Sequence, residues 1–260
     1  MLFHRIYGNG FPVIILHGLY GASDNWVTIG KMLAKDFKVI IPDQRNHGQS
    51  FHHPAMDFDI MTEDLKMFVD ELGLKHFHLI GHSMGGKVAA NFTQHYPDRV
   101  EKVVFVDILP YNTKPSKKII KFHKIVISAL NELDLTAFAD RESLKNYLLS
   151  KLYSPELVNF LMKDFYLTKD KTFVSKLNIN AIYNHMDDVL SEVEITKTIE
   201  NQAMFIKGGD SEYFMVSDFP HIKLRFPNAE MKIIDGTTHW VHAEKPKEFL
   251  KLISSFLKSV

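Results

Sequence analysis
The chain has 260 residues, 45% hydrophobic and 24% charged, with 31 basic and 31 acidic side chains and a formal net charge of +0. That suits one larger globular domain with ample core, and the charge balance supplies no attraction for nucleic acid or an anionic membrane. The absence of cysteine excludes disulfides, thiolate metal sites and a cysteine nucleophile.

Residues 2–7 can form a short edge strand. Val13 to Leu16 is an apolar run, and His17-Gly18-Leu19-Tyr20-Gly21 follows as a tight turn whose Leu19 N–H can face a developing oxyanion. Ser23 or Asp24 caps a helix through Leu33. Phe37 to Ile41 reads as the next strand, closed by Pro42-Asp43 and a polar turn from Gln44 to Ser50. Within that turn Arg45 and His47 either touch substrate or brace the loop, and bracing is the commoner use. His52 and His53 are adjacent, not one helical turn apart, and read as solvated loop. Asp59 to Leu72 is an amphipathic helix with Ile60, Leu65, Phe68, Val69 and Leu72 inward.

Phe77 to Ile80 is a buried strand, and Val88, Ala89, Phe92 and Tyr96 mark a helix stopped by Pro97. Between them stands Gly81-His82-Ser83-Met84-Gly85, a G-x-S-x-G pattern on a strand-to-helix turn. A serine there sits on a sharp, strained turn, and glycines two residues either side remove collisions with the neighbouring strand and helix. The Met84 N–H then points where an oxyanion would form.

Val103 to Val106 is a further strand, ended by Asp107-Ile108-Leu109-Pro110. Residues 111–200 change character: helical patterns near 115–131, 140–151, 154–164 and 185–199, and no clear apolar strand. This predicts a helical cap inserted between two strands, with residues 1–110 and 201–260 as the core. Of its aromatic and methionine set (Phe122, Phe138, Tyr147, Tyr153, Phe160, Met162, Phe165), most members should pack the cap and a few should face substrate. Ala203 to Ile206 is a strand before Lys207-Gly208-Gly209-Asp210-Ser211, Pro220 to Phe226 is helical, and Met231 to Ile234 is the last strand. His239 follows it in the loop Asp235 to Trp240, and Pro246 opens a closing helix to Leu257. Serine, acid and histidine thus occur in the chain order Ser…Asp…His.

These stretches resemble the α/β-hydrolase superfamily, and more narrowly the YbfF-type esterases and related mitochondrial hydrolases. The likeness rests on His17-Gly18-Leu19-Tyr20-Gly21 with Asn25-Trp26, Asp43 with Arg45 to Ser50, and Gly81 to Lys87. It continues through Asp107-Ile108-x-Pro110, Gly208-Gly209-x-Ser211 and His239-Trp240-x-His242-Ala243-Glu244-Lys245-Pro246. The resemblance implies a mostly parallel sheet flanked by helices, with a helical cap inserted after the sixth strand. It implies a serine hydrolase acting on esters, acyl-CoA thioesters among them, with no metal or organic cofactor.

On this reading Ser83 is the nucleophile, His239 the base, and Leu19 and Met84 supply the oxyanion hole. In the resembled family Asp107 is the acid and a serine, here Ser211, occupies the later acid position. Asp210 is a second candidate acid, one residue early by the Gly-x-x-Asp count, and Asp107 is favoured, with Asp210 capping the next helix. Trp26, Arg45, His82 and Trp240 are candidate substrate contacts, and His242 is expected to pack or face solvent. An acyl-CoA thioesterase is the enzymatic rival, with Lys117, Lys118 and Lys121 as possible phosphate contacts. A low-turnover ligand receptor is the rival of another class. The expected partner is a small-molecule ester or thioester, with no nucleic acid and no membrane, and nothing in the chain specifies monomer over dimer. No stretch of about 18 apolar residues occurs, and Met1 to Arg5 lacks the apolar run and cleavage site of a signal peptide, so a cytoplasmic enzyme is expected.

Overall fold
The computed structural model describes residues 1–111 and 115–259. Its centre is a seven-stranded sheet in the order β1-β3-β2-β4-β5-β8-β9. The strands are β1 (His4–Tyr7), β2 (Phe11–Leu16), β3 (Phe37–Pro42), β4 (Phe77–His82), β5 (Val100–Val106), β8 (Gln202–Gly208) and β9 (Ala229–Ile234). Among the described residues of this sheet, only the β1–β3 pair is antiparallel. Strands this apolar must be covered on both faces. Alternate residues do this: Ile14, Leu79, Val103 and Phe205 join one core, and Val13, Ile80, Val104 and Met204 join the other. The first face takes α2 (Phe58–Glu71), α3 (Met84–His95) and, through Ile222, α9 (Phe219–Arg225). The second takes α1 (Val27–Leu33), α11 (Pro246–Lys258) and, through Val241, the short α10 (Val241–Glu244). No helix among the described residues is long and apolar enough to cross a membrane.

The expected edge strand, the elbow strand and helix, and the closing helix all form within two or three residues of their anticipated bounds. The polypeptide leaves the sheet after β5, the fifth strand in chain order, rather than the sixth. The inserted segment carries α4 (Lys117–Asn131), α5 (Arg141–Leu152), α6 (Pro155–Leu161), α7 (Ile179–Asn184) and α8 (Met186–Leu190). It also carries an unforeseen two-stranded ribbon, β6 (Phe165–Leu167) with β7 (Phe173–Ser175). Of the reading at 111–200, residues 112–114 lie outside the described residues.

The helix expected over 185–199 stops at Leu190. Beyond it Val193, Ile195 and Ile199 are buried, and the backbone bonds to other parts of the chain instead of to itself. Val193 N–H donates to Pro110 O (3.1 Å), Thr196 N–H to Gln94 Oε1 (3.3 Å) and Ile199 N–H to Arg225 O (2.7 Å). These β-branched residues line an irregular return to the sheet, where tertiary partners override local helix preference.

Candidate active site
Ser83 joins β4 to α3 with φ 51° and ψ −119°. A non-glycine residue so placed is strained and persists only where its surroundings enforce it. They do so here. A Cβ on Gly81 would lie 2.3 Å from Gly85 O, and one on Gly85 would lie 2.5 Å from Leu16 O. The two glycines let the helix start press against β2 and β4, and the serine side chain is left facing a cavity. Ser83 Oγ makes no hydrogen bond to the protein among the described residues. The backbone N–H groups of Leu19 and Met84 likewise have no acceptor there.

Two cavities meet at Ser83. One is lined by His239, Trp26, Phe122, Phe160 and Trp240, and includes His82. The other is apolar, lined by Met84, Ile108, Ile119, Val189 and Leu190. Leu19, His123 and Tyr213 border both. Of the insertion's seven candidate aromatic and methionine residues, Phe122 and Phe160 reach the first cavity.

Asp107 follows β5 at φ 49° and is fully buried. Its Oδ1 accepts the Gly208 N–H (2.9 Å). Its Oδ2 accepts from the Ser211 hydroxyl and lies 2.7 Å from His239 Nδ1. An ionised carboxylate can only accept a hydrogen bond, so His239 Nδ1 carries the proton and donates it into this bond, and the neutral imidazole presents a free Nε2. Asp210 is exposed and makes no side-chain hydrogen bond or ion pair among the described residues. It caps no helix either. The next turn of helix begins at Val216, where Asp218, not Asp210, accepts the Met215 N–H (2.7 Å).

Two rings contact the His239 imidazole. Tyr213 stacks on it with centroids 3.5 Å apart and planes 8° apart, and His82 sits at 4.6 Å and 40°. His82 Nε2 meets the His239 carbonyl at 2.9 Å. Burial, with His239 and His242 nearby, holds His82 well below the usual histidine range. His242 packs rather than facing solvent: it stacks on Trp26 at 3.9 Å and 7°, and burial pushes it down to about 3. Trp26 is itself buried and lines the first cavity.

Arg45 is the one candidate substrate contact that the geometry removes. Its Nη2 donates to Asp64 Oδ1 (2.7 Å), its Nε to Asp64 Oδ2, and its Nη1 to Ala55 O (2.8 Å). A guanidinium so occupied, and lining neither cavity, is a loop brace. Asp43 braces the same turn by accepting the N–H groups of Ser23 (2.6 Å) and Gln49 (2.8 Å).

Sequence reasoning missed Tyr213 and His123. Tyr213 stands in a loop without periodicity, and its only signal was its place two residues after Ser211. His123 lies inside a helix whose visible pattern is its apolar stripe.

A family model described as alpha/beta hydrolase fold matches residues 12–246. The chain is 34% identical to the sn-1-specific diacylglycerol lipase of Danio rerio, over 96% of this chain and 80% of that protein. It is 30% identical to esterase YbfF of Escherichia coli, over 96% and 94% respectively. Among solved structures, a marine microorganism esterase superposes with a TM-score of 0.94 at 37% identity, covering 98% of each chain. A sheet that places Ser83 on a strained turn between β4 and α3, and a family match spanning most of the residues, lead to one conclusion: the chain belongs to the alpha/beta hydrolase family.

Proposed function
We propose that the protein is a serine hydrolase that cleaves carboxylic esters of short to medium acyl length through an acyl-enzyme. The observation that carries this is the His239 Nδ1–Asp107 Oδ2 pair, 2.7 Å apart, beside a cavity that Ser83 also lines. Ser83 attacks the ester carbonyl, and its proton passes to His239 Nε2. Asp107 holds the imidazole in the tautomer that accepts this proton and stabilises the cation that forms. The Leu19 and Met84 N–H groups, free of protein acceptors among the described residues, take the oxyanion. His239 then returns the proton to the departing alcohol, and water repeats the sequence on the acyl-enzyme. Ser83 and His239 do not need a standing hydrogen bond for this, since such bonds often tighten only with substrate bound.

The two cavities divide the substrate. The leaving group must lie on the side from which His239 delivers its proton, and His239 lines only the cavity of Trp26, Phe160 and Trp240. The acyl chain therefore takes the apolar cavity of Met84, Ile108, Val189 and Leu190. In this reading residues 111–200 act as a cap, roofing a core of residues 1–110 and 201–260. The names of the relatives, a diacylglycerol lipase and two esterases, agree with ester chemistry. Thioester cleavage would use the same groups. Lys117 and Lys121 on α4 make no ion pair among the described residues and are available to a phosphate.

A fluorophosphonate should label Ser83 stoichiometrically, and Ser83→Ala should lose labelling and lower turnover by about 10³-fold or more. Undiminished hydrolysis by Ser83→Ala would sink the proposal. A panel of p-nitrophenyl esters and acyl-CoAs, compared by kcat/KM, separates esterase from thioesterase. A single slow burst without steady turnover would instead mark a receptor.

A further inference from the structure
The loop that carries His239 is tied through its backbone, by Asp210 N–H to Thr237 O (2.9 Å) and Thr238 N–H to Glu244 Oε2 (2.7 Å), but these bonds do not reach the imidazole ring. Asp235, Gly236 and Thr238 are exposed, and no helix or strand includes the stretch from Asp235 to Trp240. The Asp107 hydrogen bond fixes one edge of the imidazole but leaves the ring free to tilt about that edge. The tilt is blocked by Tyr213, whose ring covers one face of the imidazole at 3.5 Å and is nearly parallel to it.

Tyr213 is itself held at both ends. Its backbone N–H donates to Ser211 Oγ (3.3 Å), and Ser211 in turn donates to Asp107. Its hydroxyl lies 2.9 Å from His123 Nε2 on α4. This is the hydroxyl's one side-chain hydrogen bond among the described residues. The backbone carbonyl of His123 accepts from the Tyr20 hydroxyl (3.4 Å), one residue beyond Leu19. A chain of contacts therefore runs from the inserted helix α4, through Tyr213, to the imidazole, and touches the Leu19 turn on the way.

We infer that Tyr213 is a positioning residue for His239, and that its hydroxyl bond to His123 ties the alignment of the base to the placement of α4 over the site. This rests on the hydrolase reading above. The stack holds Nε2 on line with Ser83, and closure of α4 completes it. When α4 is displaced, the Tyr213 hydroxyl loses its hydrogen-bond partner and the platform under the imidazole loosens. Such a device would suppress turnover while the site stands open to water. A small misplacement of a base is enough for this, since errors of about 1 Å can lower a rate by about 10²-fold.

The test pairs kinetics with a substrate-free signal, the low-field proton resonance of the His239 Nδ1–H bonded to Asp107, assigned by its loss in Asp107→Asn. Tyr213→Leu should weaken or broaden that resonance and lower kcat by about 30-fold or more, with KM within about threefold. Tyr213→Phe keeps the stack, so it should keep the resonance and lose clearly less of kcat than Tyr213→Leu. Tyr213→Phe and His123→Leu should each cost about threefold to tenfold in kcat, and the double variant no more than either alone, because both remove one shared bond. A Tyr213→Leu protein with the resonance intact, or one whose loss falls on KM alone, would overturn the inference, as would full additivity in the double variant. If Tyr213→Leu fails to fold, the His123 and Tyr213→Phe cycle carries the decision. Because the resonance is read without substrate, it stands apart from the hydrolase reading, whose own failure shows as unlabelled Ser83 in the unaltered protein.

Discussion

Both oxygens of Asp107 are engaged, one by the Gly208 N–H and the other by His239 and Ser211, and the carboxylate is shut off from water. Asparagine in its place would turn an amide N–H toward the imidazole or force the wrong tautomer upon it. Asp107→Asn should therefore lower kcat by as much as about 10⁴-fold with folding intact. Asp210→Asn should stay within about twofold, because an exposed carboxylate that holds nothing contributes little. The reverse outcome, measured on variants with matched thermal melts, would move the acid to Asp210. Ser211→Ala removes one donor from a carboxylate that keeps its others, and about fivefold is the expected loss, since a single such bond is worth about 1 kcal/mol. At this scale the sequence was informative where backbone geometry constrains residue type. Gly81 and Gly85 have no room for a Cβ, and that is visible in the spacing. It was uninformative where a side chain's fate depends on a distant partner. Arg45 reads the same in the sequence whether it meets a substrate or Asp64, and only the fold brings Asp64 to it.

Helix α3 does more than begin with a serine. Lys87, Asn91 and Gln94 follow at helical spacing along one stripe, and two of the three grip the inserted segment. Lys87 Nζ donates to Val189 O (3.0 Å) and Ser191 O (2.6 Å), and Gln94 Nε2 donates to Glu194 O (2.9 Å). The nucleophile helix is thus the anchor for the end of α8, whose Val189 and Leu190 wall the apolar cavity. This also explains why 185–199 is not one helix: carbonyls that would continue it are taken by Lys87. No local signal reveals that, because the donor lies about a hundred residues earlier. Lys87→Met should destabilise the protein by about 2 kcal/mol at pH 7, through two carbonyls left without a donor. It should also flatten the dependence of kcat/KM on acyl length, which otherwise gains about 0.8 kcal/mol per buried CH₂ until the cavity is full. The lysine adds a pH signature. Burial pushes it down to about 8 from an ordinary 10.5. Between those values the unfolded chain binds the proton more tightly, so stability rises with pH there. The gain is complete above 10.5 and is lost as the pH falls from 10.5 to 8. The unaltered protein should gain about 3 kcal/mol over Lys87→Met from pH 7 to 10.5, at about 1.4 kcal/mol per pH unit across that window. Urea melts at pH 7 and pH 10 that show a constant difference would refute this.

For the molecule as a whole, the parallel sheet and its two cores were legible because each strand is a short apolar run and alternate residues serve opposite faces. The inserted segment was legible as helix but not in its details, since short helices and a small ribbon depend on what they pack against. The same burial that makes the sheet places several histidines in the interior, among them His17, His47, His82, His123 and His242. Desolvation pushes His47, His123 and His242 each down to about 3. These groups stay neutral in the fold but charge readily once unfolded, where the ordinary value is 6.5. Their contribution to stability is therefore full above pH 6.5 and is lost progressively as the pH falls toward 3. Each one removes about 1.4 kcal/mol per pH unit in that window. Three together remove about 8 kcal/mol between about pH 6.5 and 4.5, which is comparable to the whole stability of an ordinary domain. We expect cooperative unfolding with its midpoint above about pH 4, before most carboxylates are protonated. His242→Phe isolates one member. It preserves a flat ring against Trp26, with the present stack at 3.9 Å, and abolishes a buried Nδ1 that has no hydrogen-bond partner among the described residues. Its stability should fall less steeply with acid by about one proton, so that it gains on the unaltered protein between pH 7 and pH 5 by about 2 kcal/mol. Thermal melts at pH 8, 7, 6 and 5 decide the matter: parallel curves for the two proteins would show that His242 does not carry its share of the acid sensitivity.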